Sequence, residues 1–244
     1  MTRNSNKFLG FGMLAVLAAI GGGAWARVAE EAPQIAGSSQ HPIVVELFQS
    51  QGCSSCPPAN AILNTLADRP DVLTLSYAVT YWDRLGWKDT FGAPEFTARQ
   101  QDYAQVGVGQ VATPEFIVAG KWPVVGSDRA KLAAAIRNAA AGAAGPAISL
   151  SSGEVRVAAG KPARSAEVWL VRYDPRSRDV PVRAGENGGR TLPHRHIVRQ
   201  LVRLGTWTGA AYVAKLPVAR EAGLKTAVLL QEGNGGRIMT AAGL

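Results

Sequence analysis

The chain has 244 residues, 47% of them apolar, and a formal net charge of +8. That apolar share suffices for an ordinary hydrophobic core, and two cysteines in such a length exclude the multi-disulfide framework on which small secreted domains depend. The positive charge lies mostly beyond residue 160, where arginines alternate with apolar residues instead of forming a basic run, so a solvated strand face is expected and a nucleic-acid partner is not.

The first 26 residues, "MTRNSNKFLGFGMLAVLAAIGGGAWA", have the three parts of a secretory signal peptide. Arg3 and Lys7 form the positive region, Phe8 to Ile20 the apolar run, and Ala24-Trp25-Ala26 the cleavage site. The apolar run is shorter than the roughly 20 residues that span a bilayer, so cleavage with no stable membrane span is expected. No twin-arginine signal is present, and no cysteine stands at the cleavage site for a lipid anchor. The expected location is the periplasm or outside the cell, with a mature chain carrying about +6.

After an extension over 27–42, short β-like runs alternate with helical patterns. "IVVELF" (43–48) is β-branched and apolar, and "ANAILNTLADR" (59–69) places Ile62, Leu63 and Leu66 at helical spacing. "VLTLSYAVT" (72–80) predicts a second strand, and "APEFTARQQDYAQ" (93–105) a helix with Pro94 in its first turn, where the missing N–H is harmless. "EFIVAG" (115–120) and "WPVVG" (122–126) predict a hairpin. Ser127 and Asp128 offer cap chemistry to a helix over 129–141. Beyond the Gly/Ala/Pro stretch "AGAAGPA" (141–147), short runs such as "EVRVAA", "AEVWLVRY", "DVPVRA", "HIVRQLVRL", "AVLLQ" and "RIMTAA" recur between turn residues. Evenly spaced short strands predict an antiparallel sandwich or small barrel. The fold-class expectation is therefore an α/β domain (43–142), a linker (143–148) and an all-β domain (149–244).

The chemistry concentrates in "QSQGCSSCPP". Cys53 falls just past a strand and at the start of a helix, with Cys56 one turn on. Orphan N–H groups and the helix dipole at a first turn favour a thiolate, and a thiolate is the nucleophilic form. Three-residue spacing lets the two sulfurs meet as a disulfide. Pro57 and Pro58 lack backbone donors and keep the loop tight.

A strand, a Cys-x-x-Cys, a helix and then "ATP" ahead of a later strand resembles the thioredoxin fold. That resemblance implies a cis Thr113-Pro114 bond facing the disulfide, with backbone groups of Thr113 offered to a bound polypeptide. It also implies that Glu46 occupies the place of a buried acid able to take a proton from Cys56; a structural glutamate is the other reading. A second resemblance is more specific. "VVELFQSQGCSSCPPANAIL", "YAVTYWDRLGWKDTF", "FTARQQDYA", "TPEFIVAG", "AGENGGRTLPH" and "LGTWTG" resemble an uncharacterised family of exported bacterial proteins, the domain of unknown function 1223. It implies a thioredoxin-like domain with an appended β-domain and carries no established activity.

Two further segments carry candidate binding chemistry. In "YWDRLGWKDTF" (81–91), Trp82 and Trp87 could form a substrate-binding surface or plug the loop onto the core. His194 and His196 would share one side of a strand and could bind copper or zinc, though nothing in the sequence brings them to the cysteines or to His41. "GENGGR" lacks the Lys-Ser/Thr of a phosphate loop and is expected to be a turn. The leading expectation is an exported thiol–disulfide oxidoreductase without cofactor, in which Cys53 attacks and Cys56 resolves. Its partners would be polypeptide thiols or disulfides and an electron partner. A binding or structural protein with a permanent disulfide and a metallochaperone are the alternatives.

Overall fold

Residues 41–142, 145–151 and 153–243 are described by the structure, a computed structural model. The expected signal peptide and most of the extension after it lie outside the described residues.

β1 (Ile43–Gln49) runs parallel to β2 (Val72–Ala78), with α1 (Pro57–Leu66) between them in the chain. α2 (Pro94–Gln105) starts with Pro94 at its first turn, as the sequence predicts. β3 (Glu115–Val118) pairs antiparallel with β1 and with β4 (Trp122–Val125). α3 (Arg129–Ala140) is capped by Asp128, whose carboxylate accepts from the Lys131 N–H at 2.9 Å. Such a cap contributes about 1 kcal/mol.

The second half does not form a separate sandwich. β7 (Ala166–Asp174), β10 (Ile197–Trp207), β12 (Lys225–Glu232) and β13 (Ile238–Gly243) extend the first sheet through a parallel contact between Ile197 and Ser76. The result is one mixed sheet of eight strands, ordered β13-β12-β7-β10-β2-β1-β3-β4. β5 (Ile148–Leu150), β6 (Glu154–Val157) and β11 (Tyr212–Lys215) make a small sheet of their own, and β8 (Arg178–Pro181) with β9 (Thr191–His194) a hairpin. With 13 strands and three α-helices among the described residues, the chain is mostly β. This overturns the expectation of a thioredoxin-like α/β domain followed by an all-β sandwich or barrel.

Packing explains the difference. Successive strand residues face opposite ways: Val45 and Leu47 of β1 meet Ile62 and Leu63 of α1 and Leu132 of α3, whereas Val44 and Phe48 meet Tyr77, Phe96 and Tyr103. That second cluster runs on into Val171, Tyr173, Ala227 and Leu229 from the other half of the chain. Val168 and Leu170 of β7 face the opposite way and pack with Val228, Leu230 and Trp207. Strands of a sandwich keep one wet face, but these are covered on both, which is why "EVWLVRY" lacks a clean polar alternation.

Candidate functional site

Cys53 and Cys56 form a disulfide with Cα atoms 5.4 Å apart, inside the usual range. Both residues are fully buried. The Cys53 N–H donates to Ser50 O at 3.1 Å and the Cys56 N–H to Cys53 O at 3.2 Å, so the loop folds back on itself before the helix starts. Cys56 is the N-cap residue of α1, followed at once by Pro57 and Pro58.

The Thr113-Pro114 peptide is cis. The Thr113 carbonyl oxygen lies 3.8 Å from Cys53 Sγ, and Ser55 Oγ lies 3.4 Å from it. Trp82 Nε1 donates to Thr113 Oγ1 at 2.8 Å. Trp87 Nε1 donates to Gln51 Oε1 at 2.9 Å, and the same oxygen accepts from the Thr90 N–H at 3.2 Å. Both tryptophans therefore tie the 81–91 loop down beside the cysteines, one through Thr113 and one through Gln51.

Asp89 anchors that loop from within. Its carboxylate accepts from the Gln51 N–H at 2.7 Å and the Phe91 N–H at 2.8 Å. Burial pushes its pKa up to about 6, against the two backbone donors that favour the charged form. Sequence reading assigns neither Gln51 nor Asp89 a role in the site, because the bond that joins them spans 38 positions of chain.

Glu46 is fully buried and faces α2. Arg99 Nε donates to its Oε1 at 2.6 Å, and the Tyr103 hydroxyl donates to its other oxygen. Gln231 of β12 completes the group, accepting from Arg99 Nη1 at 3.2 Å and donating to the Tyr103 oxygen at 3.0 Å. The arginine stacks within 5.2 to 5.8 Å of the Tyr77, Tyr103 and Trp169 ring centres. Both carboxylate oxygens are thus engaged by a network that links the two halves of the chain.

The two histidines are separated by a strand end. His194 closes β9 and packs edge-on against Phe91 at 5.9 Å; among the described residues neither ring nitrogen has a hydrogen-bond partner. Burial lowers its pKa to about 4. His196 sits before β10 with a left-handed φ of 50°, and its Nδ1 lies 2.7 Å from Thr74 Oγ1. His41 stands apart, 3.4 Å from Thr240 Oγ1. Among the described residues no group of three or more His, Cys, Asp or Glu side chains is placed to share a metal ion.

What sequence reasoning missed is the loop that covers the cysteines from the other half. "GENGGR" is a turn with positive φ at Gly185 and Gly189, but Asn187 in its middle is fully buried. Asn187 Nδ2 donates to Cys53 O at 2.8 Å and Gln51 O at 2.9 Å. The neighbouring Glu186 accepts from the Ser54 N–H at 3.1 Å. No local signal could have found these partners, which lie more than 130 positions away in the chain.

A mostly β protein built on one large mixed sheet, with a short-loop disulfide closed over by two segments, is the class that this fold and site define. The chain belongs to the family described as Protein of unknown function (DUF1223), whose profile matches residues 44–231. It is similar to the X-ray crystal structure of protein AGR_C_4864 from Agrobacterium tumefaciens, with 31% identity and a TM-score of 0.68, covering 85% of this chain and 94% of that one. HBP35 of Porphyromonas gingivalis shares the fold at a TM-score of 0.54 and 12% identity, covering 85% of this chain and 76% of that one. A comparison with curated proteins finds no match.

Proposed function

We propose that the chain is an exported thiol–disulfide exchange protein in which Cys53 is the attacking sulfur and Cys56 the resolving one. Export rests on the leader with Arg3, Lys7 and the Ala24-Trp25-Ala26 site. The observation that carries the redox reading is the size of the loop that the disulfide closes. Cysteines three apart remove little chain entropy, about 2 kcal/mol against ~4.7 kcal/mol for a 100-residue loop. A fold with an extensive buried core gains little from so short a staple, whereas two sulfurs at the start of a helix can exchange partners without moving the sheet.

In the reduced protein, the Cys53 thiolate attacks one sulfur of a partner polypeptide's disulfide. The partner's S–S bond breaks, its second sulfur leaves as a thiolate and takes a proton, and Cys53 is joined to the partner. The Cys56 thiolate then attacks Cys53 Sγ, expels the partner's first sulfur as a thiol and restores the Cys53–Cys56 bond. The partner gains two electrons, and an external dithiol must return them to the cysteine pair. Thr113, whose carbonyl faces Cys53 Sγ beside Pro114, and Trp82, bonded to Thr113, would border the partner chain.

The second reading, a permanent structural disulfide, is favoured by the absence of solvent exposure at either cysteine. Trapping separates the two. Cys56→Ser should accumulate mixed disulfides through Cys53 in cells, and alkylation of wild-type cells should find the pair partly reduced. A pair that is always oxidised, with no trapped partner under any disulfide stress, leaves the structural reading standing.

A further inference from the structure

The hairpin β8–β9 is hydrogen-bonded into neither larger sheet. An isolated two-stranded hairpin is marginal in water and needs other contacts to stay in place. Its few apolar side chains, Val180, Val182 and Leu192, pack against Trp87 and Phe91, the aromatics of the 81–91 loop. At its tip, Gly185 comes so near Trp87 that a Cβ would lie 3.2 Å from the Trp87 Cβ. The tip then reaches the disulfide loop through two residues. Asn187 gives both amide hydrogens to backbone carbonyls on either side of Gly52, and Arg190 Nη1 fixes its orientation by donating to Asn187 Oδ1 at 2.6 Å. Glu186 occupies the N–H of Ser54, the residue next to Cys53.

We propose that the 183–190 loop is an autoinhibitory latch that holds the disulfide closed through Asn187 and Glu186, and that a sulfur from outside reaches Cys53 only when the hairpin lifts. The proposal rests on the thiol–disulfide reading for its biological use. Reduction places negative charge on Cys53 one residue from the Ser54 N–H that Glu186 holds, and like charges repel. The latch is therefore tighter over the oxidised pair than over the reduced one. By reciprocity a closed latch favours the disulfide and an open latch favours the dithiol. No backbone ladder joins the hairpin to the eight-stranded sheet, so lifting it breaks side-chain contacts, among them Arg178 to Asp174 at 2.8 Å and Asn64 to Pro193 O at 3.2 Å, and leaves the sheet paired.

The test measures how fast dithiothreitol reduces the pair in the folded full-length protein, together with hydrogen exchange at Ser54 and Cys53. One dithiothreitol thiolate attacks Cys53 Sγ, Cys56 leaves as a thiolate, and the second dithiothreitol sulfur closes a cyclic disulfide and frees Cys53. Asn187→Ala should speed reduction at least tenfold and raise exchange in 51–56. Glu186→Gln is nearly isosteric and solvent-facing, so it serves where Asn187→Ala fails to fold. It should speed alkylation of reduced Cys53 severalfold near neutral pH and lower the pH at which that alkylation reaches half its maximum. Wild-type rates in a folded Glu186→Gln protein, with unchanged exchange at Ser54, would overturn the latch. Faster reduction in these variants alongside an empty Cys56→Ser trap would keep the latch and sink the exchange function. A trapped partner with unaltered reduction rates would do the reverse.

Discussion

The side-chain amide of Asn187 donates to the backbone carbonyl of Cys53 at 2.8 Å, joining residues 134 positions apart. Its second hydrogen reaches Gln51 O, so a single side chain from the β8–β9 hairpin ties both flanks of Gly52. The disulfide is thereby enclosed by chain that the first 142 residues do not contain.

Replacing both cysteines together tests how much the disulfide does for the fold. Cys53→Ala/Cys56→Ala should lower stability by about 2 kcal/mol and leave the protein folded, since the closed loop is short. Urea unfolding of the oxidised wild type and the double variant checks this. A loss beyond 4 kcal/mol would speak for a structural staple.

The Glu46–Arg99 pair should behave as a buried charge network. Arg99→Leu leaves the Glu46 carboxylate without its cation and should cost about 3–5 kcal/mol. Glu46→Leu combined with Arg99→Leu should recover most of that loss, because no uncompensated charge then remains inside. Thermal melts of the two variants distinguish this from simple overpacking.

Two buried groups should give opposite slopes to stability in mild acid. His194 has its pKa lowered from 6.5 to about 4, so its neutral burial supports the fold above pH 6.5, and that support is lost as pH falls toward 4. Asp89 has its pKa raised from 3.8 to about 6, so its support is complete below pH 3.8 and lost as pH rises through 6. Each is of order 3 kcal/mol, at 1.36 kcal/mol per tenfold change in proton affinity. His194→Leu should therefore show stability falling between pH 4 and 6, and Asp89→Asn should show it rising over the same range. Chemical unfolding at a series of pH values reads both slopes.

Gly120 makes the turn between β3 and β4 at a φ of 64°, against the chain that leads into β13. A Cβ there would fall 2.4 Å from Gly236 O, and Ala119 O accepts from the Ile238 N–H at 2.9 Å beside it. Gly120→Ala should cost roughly 2 kcal/mol or more, from the left-handed backbone and the contact together. A half-buried turn glycine with open space around its Cβ position, Gly126 at a φ of 75°, should tolerate alanine with only the backbone part of that cost.

Much of the first half was legible locally. Pro94 at a helix start, Asp128 as a cap and the β-branched run of β1 announce their elements within a few residues. β9 carries no strand signal of its own, because "TLPH" is four residues long and contains a proline, acceptable only where a strand lacks a second neighbour. The site divides in the same way. Cys53 and Cys56 declare themselves by spacing, whereas Asn187 and Glu186 sit in a glycine-rich turn and meet the disulfide loop only across more than 130 positions of chain.

By itself the sequence determined the positions of the main strands and helices, the pairing of its two cysteines and the turn at residues 185–189. Tertiary structure alone decided that β10 would lie beside β2, making one sheet of eight strands, and that the turn would close over the disulfide. Periodicity reports which face of a strand is apolar, but a strand edge offers the same N–H and C=O groups to any neighbour. Which segment takes that edge is settled by burial on both faces, summed over residues far apart in the chain.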